Sequence, residues 1–355
     1  MSPEPMFEIA PVGQPAGQPG GSDAGPVRSG AIPPLAAGFV TRPETAPSLG
    51  VALAPGATVV LASARQASAR LAAGPQRDWL EACGKTQLAV HAAESLWGSG
   101  EVDLLVWVTA TSRASVMSAY VQAAAAAIGI DPAGDGESIA ARFVSWLSEV
   151  SRPWLLVLDD LSDVADMEGL WPAGPRGRLL ITTRDPGILP VEARAHVLRI
   201  GAFSQREAVG YVMGRLTLDL GQRLGAADLV NDLACEPLAL AQASSVIAAS
   251  TLSCRDYRGY FTRRNDQMSE VEGGPVPPAA VTWTFAFEQA GRLAQDGVPQ
   301  SLLAMSALVD GRGIPGAVLT APAVLKYLAA GSGRDAVSPG HARDALLVPA
   351  RAGLA

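Results

Sequence analysis

The stretch Gly84-Lys85-Thr86-Gln87-Leu88-Ala89-Val90-His91-Ala92-Ala93-Glu94-Ser95-Leu96-Trp97 decides how the chain is expected to fold. Apolar residues recur at steps of three and four after the Gly-Lys-Thr triplet, a spacing that predicts a helix with one apolar face. The N–H groups at the start of such a helix, and the positive end of its dipole, attract phosphate. We therefore expect Gly84 and Lys85 to bind phosphate groups, and the hydroxyl of Thr86 to hold Mg²⁺.

The residues before this triplet depart from the usual phosphate-binding pattern, which reads G-x-x-x-x-G-K-[ST]. Trp79 stands where the first glycine belongs, no other glycine precedes Gly84 in the loop, and Glu81 adds a negative charge. Glycines are favoured in such loops because the backbone approaches the phosphates closely. A chance Gly-Lys-Thr in a surface loop is therefore the alternative. Lysine is nevertheless rare in this chain, since Lys85 and Lys326 are its only two.

Composition argues against several classes of protein. The 355 residues, 48% of them hydrophobic, are enough for two or three domains with a sizeable core. No apolar run approaches the ~20 residues that span a membrane, and the net charge of -7 argues against a broad nucleic-acid surface. The three widely spaced cysteines make neither a disulfide framework nor a zinc site. We expect a cytoplasmic protein with no membrane partner, for which direct nucleic-acid binding is disfavoured.

Proline and glycine are frequent in residues 1–50. This composition predicts a disordered arm, because such a segment buries too little apolar surface to offset its ordering entropy. Within the arm, Arg42-Pro43-Glu44 is expected to dock on the domain that follows. The first predicted domain then covers residues 51–202.

Apolar runs in this first domain predict the five strands of a parallel α/β sheet. The runs are Thr58–Ala62, Asp103–Val108, Pro153–Asp160, Gly177–Asp185 and His196–Ile200. Helical segments alternate with them, which is typical of a parallel sheet with helices on its faces. Between the first run and Gly84, residues 63–78 are interpreted as an insertion that lengthens the loop. The alternative is that the first strand is unrelated to the loop.

Two of these strands end in charged residues that suit nucleotide chemistry. Ligands of parallel sheets bind at the carboxyl ends of the strands, where Asp159 and Asp160 follow a continuous apolar run. We expect Asp159 to hold Mg²⁺ and Asp160 to orient or activate an attacking water. Arg184, at the end of the next strand, is expected to reach a γ-phosphate. The alternatives are a solvated Asp-Asp turn and a surface arginine paired with Asp185.

Helical patterns dominate the chain after residue 202. Ser204 and Glu207 form a capping box that predicts a helix start. We expect a helical bundle domain over residues 203–272 and a smaller domain with helix-like segments over 273–330. Residues 331–355 lose periodicity and are predicted to form an irregular tail.

Together these motifs resemble the NB-ARC class of STAND P-loop NTPases, in the form found in actinobacterial regulators. The matching stretches, in the family's order, are Gly84-Lys85-Thr86-Gln87-Leu88-Ala89, Leu155-Leu156-Val157-Leu158-Asp159-Asp160, Leu180-Ile181-Thr182-Thr183-Arg184 and Glu236-Pro237-Leu238-Ala239. The family's element at the last position reads Gly-Leu-Pro-Leu-Ala, from which Cys235 and Glu236 depart. The stretch from Leu302 to Leu328 looks like the start of a winged-helix domain.

The resemblance implies a regulatory switch that binds ADP and ATP with Mg²⁺, hydrolyses ATP slowly and acts through protein partners or self-association. By this likeness Gly84, Lys85, Thr86 and Gln87 bind the nucleotide, and Pro237 packs near the adenine. Thr86 and Asp159 are then the metal ligands, and Asp160 and Arg184 the catalytic pair. The third domain, residues 273–330, is implied to be a partial winged helix.

Several departures from the family keep a second function open. The family's Met-His-Asp motif has no match, since His341 stands in Gly340-His341-Ala342, and its usual C-terminal repeats are missing from the sequence. The alternative is a degenerate scaffold that keeps the fold for protein contacts without hydrolysing nucleotide. A metabolic P-loop kinase is less favoured, because the sequence shows neither a lid nor an acceptor pocket.

Overall fold

The computed structural model describes residues 25–43, 45–64, 83–185, 187, 195–294, 296–308, 314 and 316–351. In this part of the chain, one sheet of six strands is flanked by helices and followed by helical segments. The strands are β1 (Val27–Ser29), β2 (Thr58–Ser63), β3 (Leu104–Thr109), β4 (Trp154–Asp159), β5 (Gly177–Thr183) and β6 (Ala195–Ile200). The helices around the sheet are α1 (Thr45–Ala52), α2 (Lys85–Gly98), α3 (Arg113–Ile128) and α4 (Gly136–Glu149).

The strand order is β1-β3-β4-β5-β2-β6, and every neighbouring pair is parallel. Strand β5 therefore lies between β2, which leads toward the Gly-Lys-Thr helix, and β4, which ends in the aspartate pair. All parallel strands present their carboxyl ends at the same edge of a sheet. The three segments that carry the predicted site thus meet at one edge.

Both faces of the sheet are covered, which explains why its strands are continuously apolar. Alternate residues of β3 enter opposite cores: Leu104, Val106 and Val108 pack with α3 and α4, whereas Leu105 and Trp107 pack with α1 and α2. Burial on both sides leaves the carboxyl edge as the part of the sheet where polar side chains reach a ligand.

The prediction of a disordered arm over residues 1–50 is wrong for its described part, residues 25–43 and 45–50. Strand β1 adds to the edge of the sheet, with Val27 opposite Leu104, so the sheet has six strands rather than the predicted five. Arg28 forms an ion pair with Glu94 on α2 and lies over the ring of Trp97. These contacts come from distant parts of the chain, and local composition does not reveal them. Residues 1–24 lie outside the described residues.

The helices after the sheet form two further cores. The first core belongs to α5 (Gln205–Arg215), α6 (Ala226–Asp232), α7 (Pro237–Ala248), α8 (Cys254–Glu272) and α9 (Pro278–Ala294). The second belongs to α10 (Val298–Ser306), α11 (Gly316–Leu319), α12 (Pro322–Ser332) and α13 (Pro339–Arg351).

These cores correct the predicted C-terminal boundaries. Val281 and Ala286 of α9 are buried in the first core, so the helical bundle extends past residue 272. Residues 331–355 are not an irregular tail where they are described, because α13 packs Ala342 and Ala345 against Val298 of α10. All regular elements described between 278 and 351 are helices. The partial winged-helix domain stays a prediction.

Within the parts of the chain that the structure describes, no helix combines the length and the apolar character needed to cross a bilayer.

The edge strand β1 depends on a glycine that follows it. Gly30 has a φ of 92°, and a Cβ added there lies 2.0 Å from the backbone oxygen of Trp107. We expect Gly30→Ala to destabilise the fold by about 2–3 kcal/mol, because it combines a left-handed backbone with a backbone clash. Thermal unfolding measures the loss, and limited proteolysis reports whether the N-terminal segment is released.

Gly210→Ala is the matched control, because Gly210 lies inside α5 with no neighbouring atom within 4 Å of an added Cβ. A helix interior favours alanine over glycine. Gly210→Ala is therefore expected to be as stable as wild type or about 0.5–1 kcal/mol more stable. Equal melting temperatures for wild type and Gly30→Ala contradict the prediction.

Candidate functional site

A cavity of about 660 Å³ opens at the carboxyl edge of the sheet. All eight residues predicted to form a site line it: Gly84, Lys85, Thr86, Gln87, Asp159, Asp160, Arg184 and Pro237. The structure therefore brings together side chains that are up to about 150 positions apart in the sequence. What each residue does in this cavity is a separate question, which depends on its contacts.

The Gly-Lys-Thr triplet stands at the start of α2. Gly84 precedes the helix with a φ of 86°, a left-handed conformation that glycine adopts without strain. The first intrahelical bond runs from Leu88 N–H to Gly84 O at 3.0 Å. The N–H groups of the three residues between them therefore have no acceptor inside the helix, which is the feature that lets helix starts attract anions.

Lys85 reaches back from α2 to the end of β2. Its ammonium donates to Ser63 Oγ at 2.8 Å and lies 3.7 Å from Cys83 Sγ, and the side chain is buried. Because Ser63 is the last residue of β2, that strand does lead to the site, and the alternative of an unrelated strand is wrong. The proposed insertion cannot be followed, because residues 65–82, with Trp79 and Glu81, lie outside the described residues.

Asp159 carries the buried carboxylate of the cavity. Its Oδ1 accepts hydrogen bonds from the hydroxyls of Thr86 at 2.8 Å and Thr182 at 2.6 Å. Burial raises the pKa of the Asp159 carboxyl above its ordinary value, whereas the hydrogen bonds from Thr182 and Thr86 lower it. Thr86 and Asp159 thus place two oxygen ligands side by side, the donor set that Mg²⁺ prefers.

Asp160 and Arg184 face each other at the more open side of the cavity. Arg184 Nε lies 3.6 Å from Asp160 Oδ1, and both side chains are exposed to solvent. Asp160 has a φ of 57°, which is unusual for a residue other than glycine, and such strained positions cluster at functional sites. The turn separates the two adjacent carboxylates, one buried and one exposed.

Gln87 lines the cavity, but its side chain is engaged elsewhere. The amide accepts a hydrogen bond from Ala36 N–H at 2.6 Å and donates to Pro34 O at 3.3 Å. Its side chain therefore anchors the N-terminal segment on α2. Only its backbone N–H, at the helix start, is placed to meet a phosphate.

Sequence reasoning missed one wall of the cavity. Ala36, Phe39, Val40 and Arg42 come from the segment predicted to be disordered, and Phe203 and Tyr211 from the helical part. The docking expected for residues 42–44 holds for Arg42, which donates to Cys83 O at 2.6 Å and to Gly201 O at 2.8 Å. Its guanidinium also lies 4.8 Å from the centre of the Phe203 ring. The apolar pair Phe39-Val40, directly before Thr41-Arg42, is a signal that could have indicated this wall.

Pro237 enters the cavity at the first position of α7, where proline fits a helix start. The chain reaches it through two residues with left-handed backbone, Ala234 (φ 52°) and Cys235 (φ 55°). Cys235 O accepts from Phe203 N–H at 3.0 Å, so this strained turn also fixes the aromatic wall.

Comparisons with known proteins give no family assignment. No model of a protein family matches the chain, and neither does a curated protein. Among solved structures, the ORC2 protein of Aeropyrum pernix in ADPNP–ADP complexes is 16% identical, over 88% of this chain and 80% of that one, with a TM-score of 0.40. The Cdc6p protein of Pyrobaculum aerophilum is 12% identical, over 87% and 85%, with a TM-score of 0.40. The ORC1 protein of Aeropyrum pernix in complex with DNA is 14% identical, over 89% and 85%, at 0.39. Similarity this low establishes no shared function.

Because its charged form is buried, Asp159 is expected to cost the fold stability. The pKa of its carboxyl is raised on folding, so the cost is present at neutral pH and fades as pH falls toward the ordinary value of 3.8. Asp159→Asn should therefore melt at a higher temperature than wild type at pH 7.5, and the difference should shrink as pH is lowered to about 4. Differential scanning calorimetry across this range measures it.

Asp135→Asn provides a control of opposite sign. Hydrogen bonds from Ser138 to the N-cap Asp135 lower the pKa of that carboxyl, so its ionised form stabilises the fold at neutral pH. The variant should lose stability at pH 7.5 and approach wild type in acid. A lower melting temperature for Asp159→Asn at pH 7.5 contradicts the account of the buried charge.

Proposed function

We propose that this cavity binds ATP and ADP with Mg²⁺, and that the chain is a nucleotide-dependent regulatory switch of NB-ARC type with slow ATP hydrolysis. One observation carries the proposal: Lys85, Thr86, Asp159, Asp160 and Arg184 line a single cavity. Sites for phosphate chains and Mg²⁺ commonly place a lysine and a hydroxyl at a helix start, opposite acidic residues at a strand end. This cavity has the same arrangement.

The polar half of the cavity fits a phosphate chain and its metal ion. Thr86 Oγ1 lies 2.8 Å from Asp159 Oδ1, so this hydroxyl and this carboxylate stand side by side and present oxygen ligands to a small hard cation. The described residues contain no group of three or more histidines, cysteines and acids that forms a metal cage. Mg²⁺ suits such a place, because it is usually held by one or two protein oxygens together with phosphates and water.

The other half of the cavity is apolar and fits a base and sugar. Phe39, Val40, Phe203, Tyr211 and Leu238 contribute to its wall. Its volume of about 660 Å³ falls within the range usual for small-molecule sites. Burial raises the pKa of the Tyr211 phenol, so this side chain is uncharged at neutral pH. Pro237, beside Leu238, is proposed to pack against the adenine.

Hydrolysis is assigned to the exposed pair at the open side of the cavity. The carboxylate of Asp160 is accessible to water and is proposed to orient the attacking molecule. Arg184, 3.6 Å away, is proposed to contact the γ-phosphate and to sense its presence. In the structure the two charges pair with each other, so Arg184 has to leave Asp160 to reach a phosphate. This competition favours a slow rate.

The switch follows from the two-sided construction of the cavity. Lys85 and Asp159 belong to the sheet unit, whereas Tyr211 and Pro237 belong to the helical bundle. A ligand that touches both units biases their relative arrangement by its difference in affinity for the alternatives. ATP and ADP differ by one phosphate near Arg184, which supplies such a difference. Protein partners or a second copy of the chain are proposed to read the outcome.

The first experiment tests nucleotide binding with the only two lysines of the chain. Lys85→Ala should weaken the binding of Mg·ATP and Mg·ADP by about 10- to 100-fold, because it removes charge-assisted hydrogen bonds to phosphate. Lys326→Ala is the control, since Lys326 is exposed on α12 and remote in sequence from the cavity lining. Isothermal titration calorimetry gives the affinities.

Thermal unfolding gives an independent measure of binding. At a ligand concentration of about 100 times Kd, binding stabilises the native state by about 2.7 kcal/mol, so wild type and Lys326→Ala should melt several degrees higher with nucleotide. Lys85→Ala should lose most of this rise. A folded wild-type protein that binds neither nucleotide in either assay ends the proposal and favours the degenerate scaffold instead.

The second experiment tests the catalytic assignment. Asp160→Asn should lower the rate of Mg·ATP hydrolysis by about 100-fold or more, because an amide does not accept a proton from water. Its affinity for ATP should stay close to that of wild type. Asp163→Asn is the control, because Asp163 caps the short helix at Val164–Met167 outside the cavity lining, and an asparagine oxygen can still accept the cap hydrogen bond from Ala165 N–H. Unchanged hydrolysis by Asp160→Asn refutes this role.

A further inference from the structure

We propose that Thr182 is the positioning residue of this site: its single hydroxyl orients the carboxylate of Asp159 and holds the backbone turn that presents Asp160. The proposal rests on the proposed function, since it assigns a role within the same nucleotide site. Thr182 is the penultimate residue of β5, is 1% exposed and lines the cavity.

The hydroxyl of Thr182 makes two hydrogen bonds whose directions are fixed by chemistry. Asp160 N–H lies 2.8 Å from Thr182 Oγ1 and can only donate, so the hydroxyl oxygen accepts. The hydroxyl hydrogen is then left for Asp159 Oδ1, at 2.6 Å. One side chain thereby joins the proposed metal ligand to the proposed water-orienting residue.

The consequence for Asp159 is a fixed carboxylate plane. Thr182 and Thr86 both donate to Oδ1, from β5 on one side and α2 on the other. Among the described residues no hydrogen bond is made to Oδ2. Oδ2 is therefore the oxygen left for a Mg²⁺ ion. The two hydroxyls that bind Oδ1 fix the plane of the carboxylate and so set the direction of Oδ2. A rigid ligand of this kind binds a cation without first being ordered.

The consequence for Asp160 is a supported turn. Its φ of 57° needs compensation from the surroundings, because a side chain other than glycine is strained there. Thr182 brackets this turn on both sides, since its backbone oxygen also accepts from Leu161 N–H at 2.9 Å. Asp159, Asp160 and Leu161 thus each form a hydrogen bond with Thr182.

The next residue along the strand offers a matched control. Thr183 is also 1% exposed, but its hydroxyl donates to Asp185 O at 3.3 Å, and it does not line the cavity. Removing a buried hydroxyl from Thr183 therefore tests the general cost of such a change at this strand end. A merely structural role for Thr182 predicts similar behaviour from both variants.

The first readout is the gain in ATP affinity that Mg²⁺ provides, measured by calorimetry in Mg²⁺ and in EDTA. Thr182→Val, which keeps the shape but removes the hydroxyl, should reduce this gain about tenfold, because Asp159 loses a charge-assisted donor. Its affinity in EDTA should change less than about twofold. Thr182→Ser should restore the wild-type gain, and Thr183→Val should retain it. A wild-type gain in Thr182→Val overturns the proposal.

The second readout needs no nucleotide: hydrogen exchange of the backbone amides in the full-length protein. In Thr182→Val the Asp160 amide should exchange about tenfold faster, since it loses its acceptor, whereas the Leu161 amide keeps its own. Thr182→Ser should restore protection at Asp160. Unchanged exchange at Asp160 in Thr182→Val overturns the proposal. If Thr182→Val does not fold, Thr182→Ala is measured in the same way.

The two readouts separate this inference from the proposed function. A wild-type protein that binds no ATP in Mg²⁺ ends the proposed function, and the exchange of Asp160 in the variants then decides whether Thr182 positions the turn. A wild-type protein that binds ATP, together with an unaltered Thr182→Val, leaves the function standing and removes the positioning role.

Discussion

The site depends on one buried negative charge, the carboxylate of Asp159 at the end of β4. Hydroxyls from two other elements, Thr86 on α2 and Thr182 on β5, hold one of its oxygens. A buried carboxylate without such donors is costly, because desolvation disfavours the charged form. The fold therefore has to bring three separate segments to the same point before this charge is tolerated. That requirement links the stability of the sheet to the geometry of the site.

The apolar strands explain how this charge is accommodated. Trp154, Leu156 and Leu158 of β4 enter one core, and Leu155 and Val157 enter the other. Strand β4 is thus buried on both faces as far as Leu158, the residue before Asp159. Functional sites commonly cost stability that the remaining structure supplies. Here the apolar burial of β4 on both faces offsets the free-energy cost of burying the Asp159 carboxylate at its end. The left-handed turn at Asp160 follows immediately.

The parts that the sequence predicted are those with strong local signals. Continuous apolar runs indicated five of the six strands, and the convergence of strand ends placed Lys85, Asp159 and Arg184 together. Strand β1 was not predicted, because it is three residues long and is stabilised by contacts with β3 and α2 that its own composition does not indicate. The helix α13 was not predicted, because the residues that it buries in the core shared with α10 are the small Ala342 and Ala345, a weak local signal. Residues 65–82 lie outside the described residues, so the insertion stays a prediction.

The missed wall of the cavity changes how the site is understood. Arg42 donates to Cys83 O beside the start of α2 and to Gly201 O at the end of the sheet, and its guanidinium lies over the ring of Phe203, just before the helical bundle. Burial lowers the pKa of its guanidinium without depriving it of partners, since both carbonyls accept its hydrogen bonds. The N-terminal segment therefore contacts both the sheet unit and the helical bundle. Under the proposed function, a nucleotide in the cavity contacts this segment together with both units, and we propose that ligand binding and the arrangement of the units are coupled through these contacts.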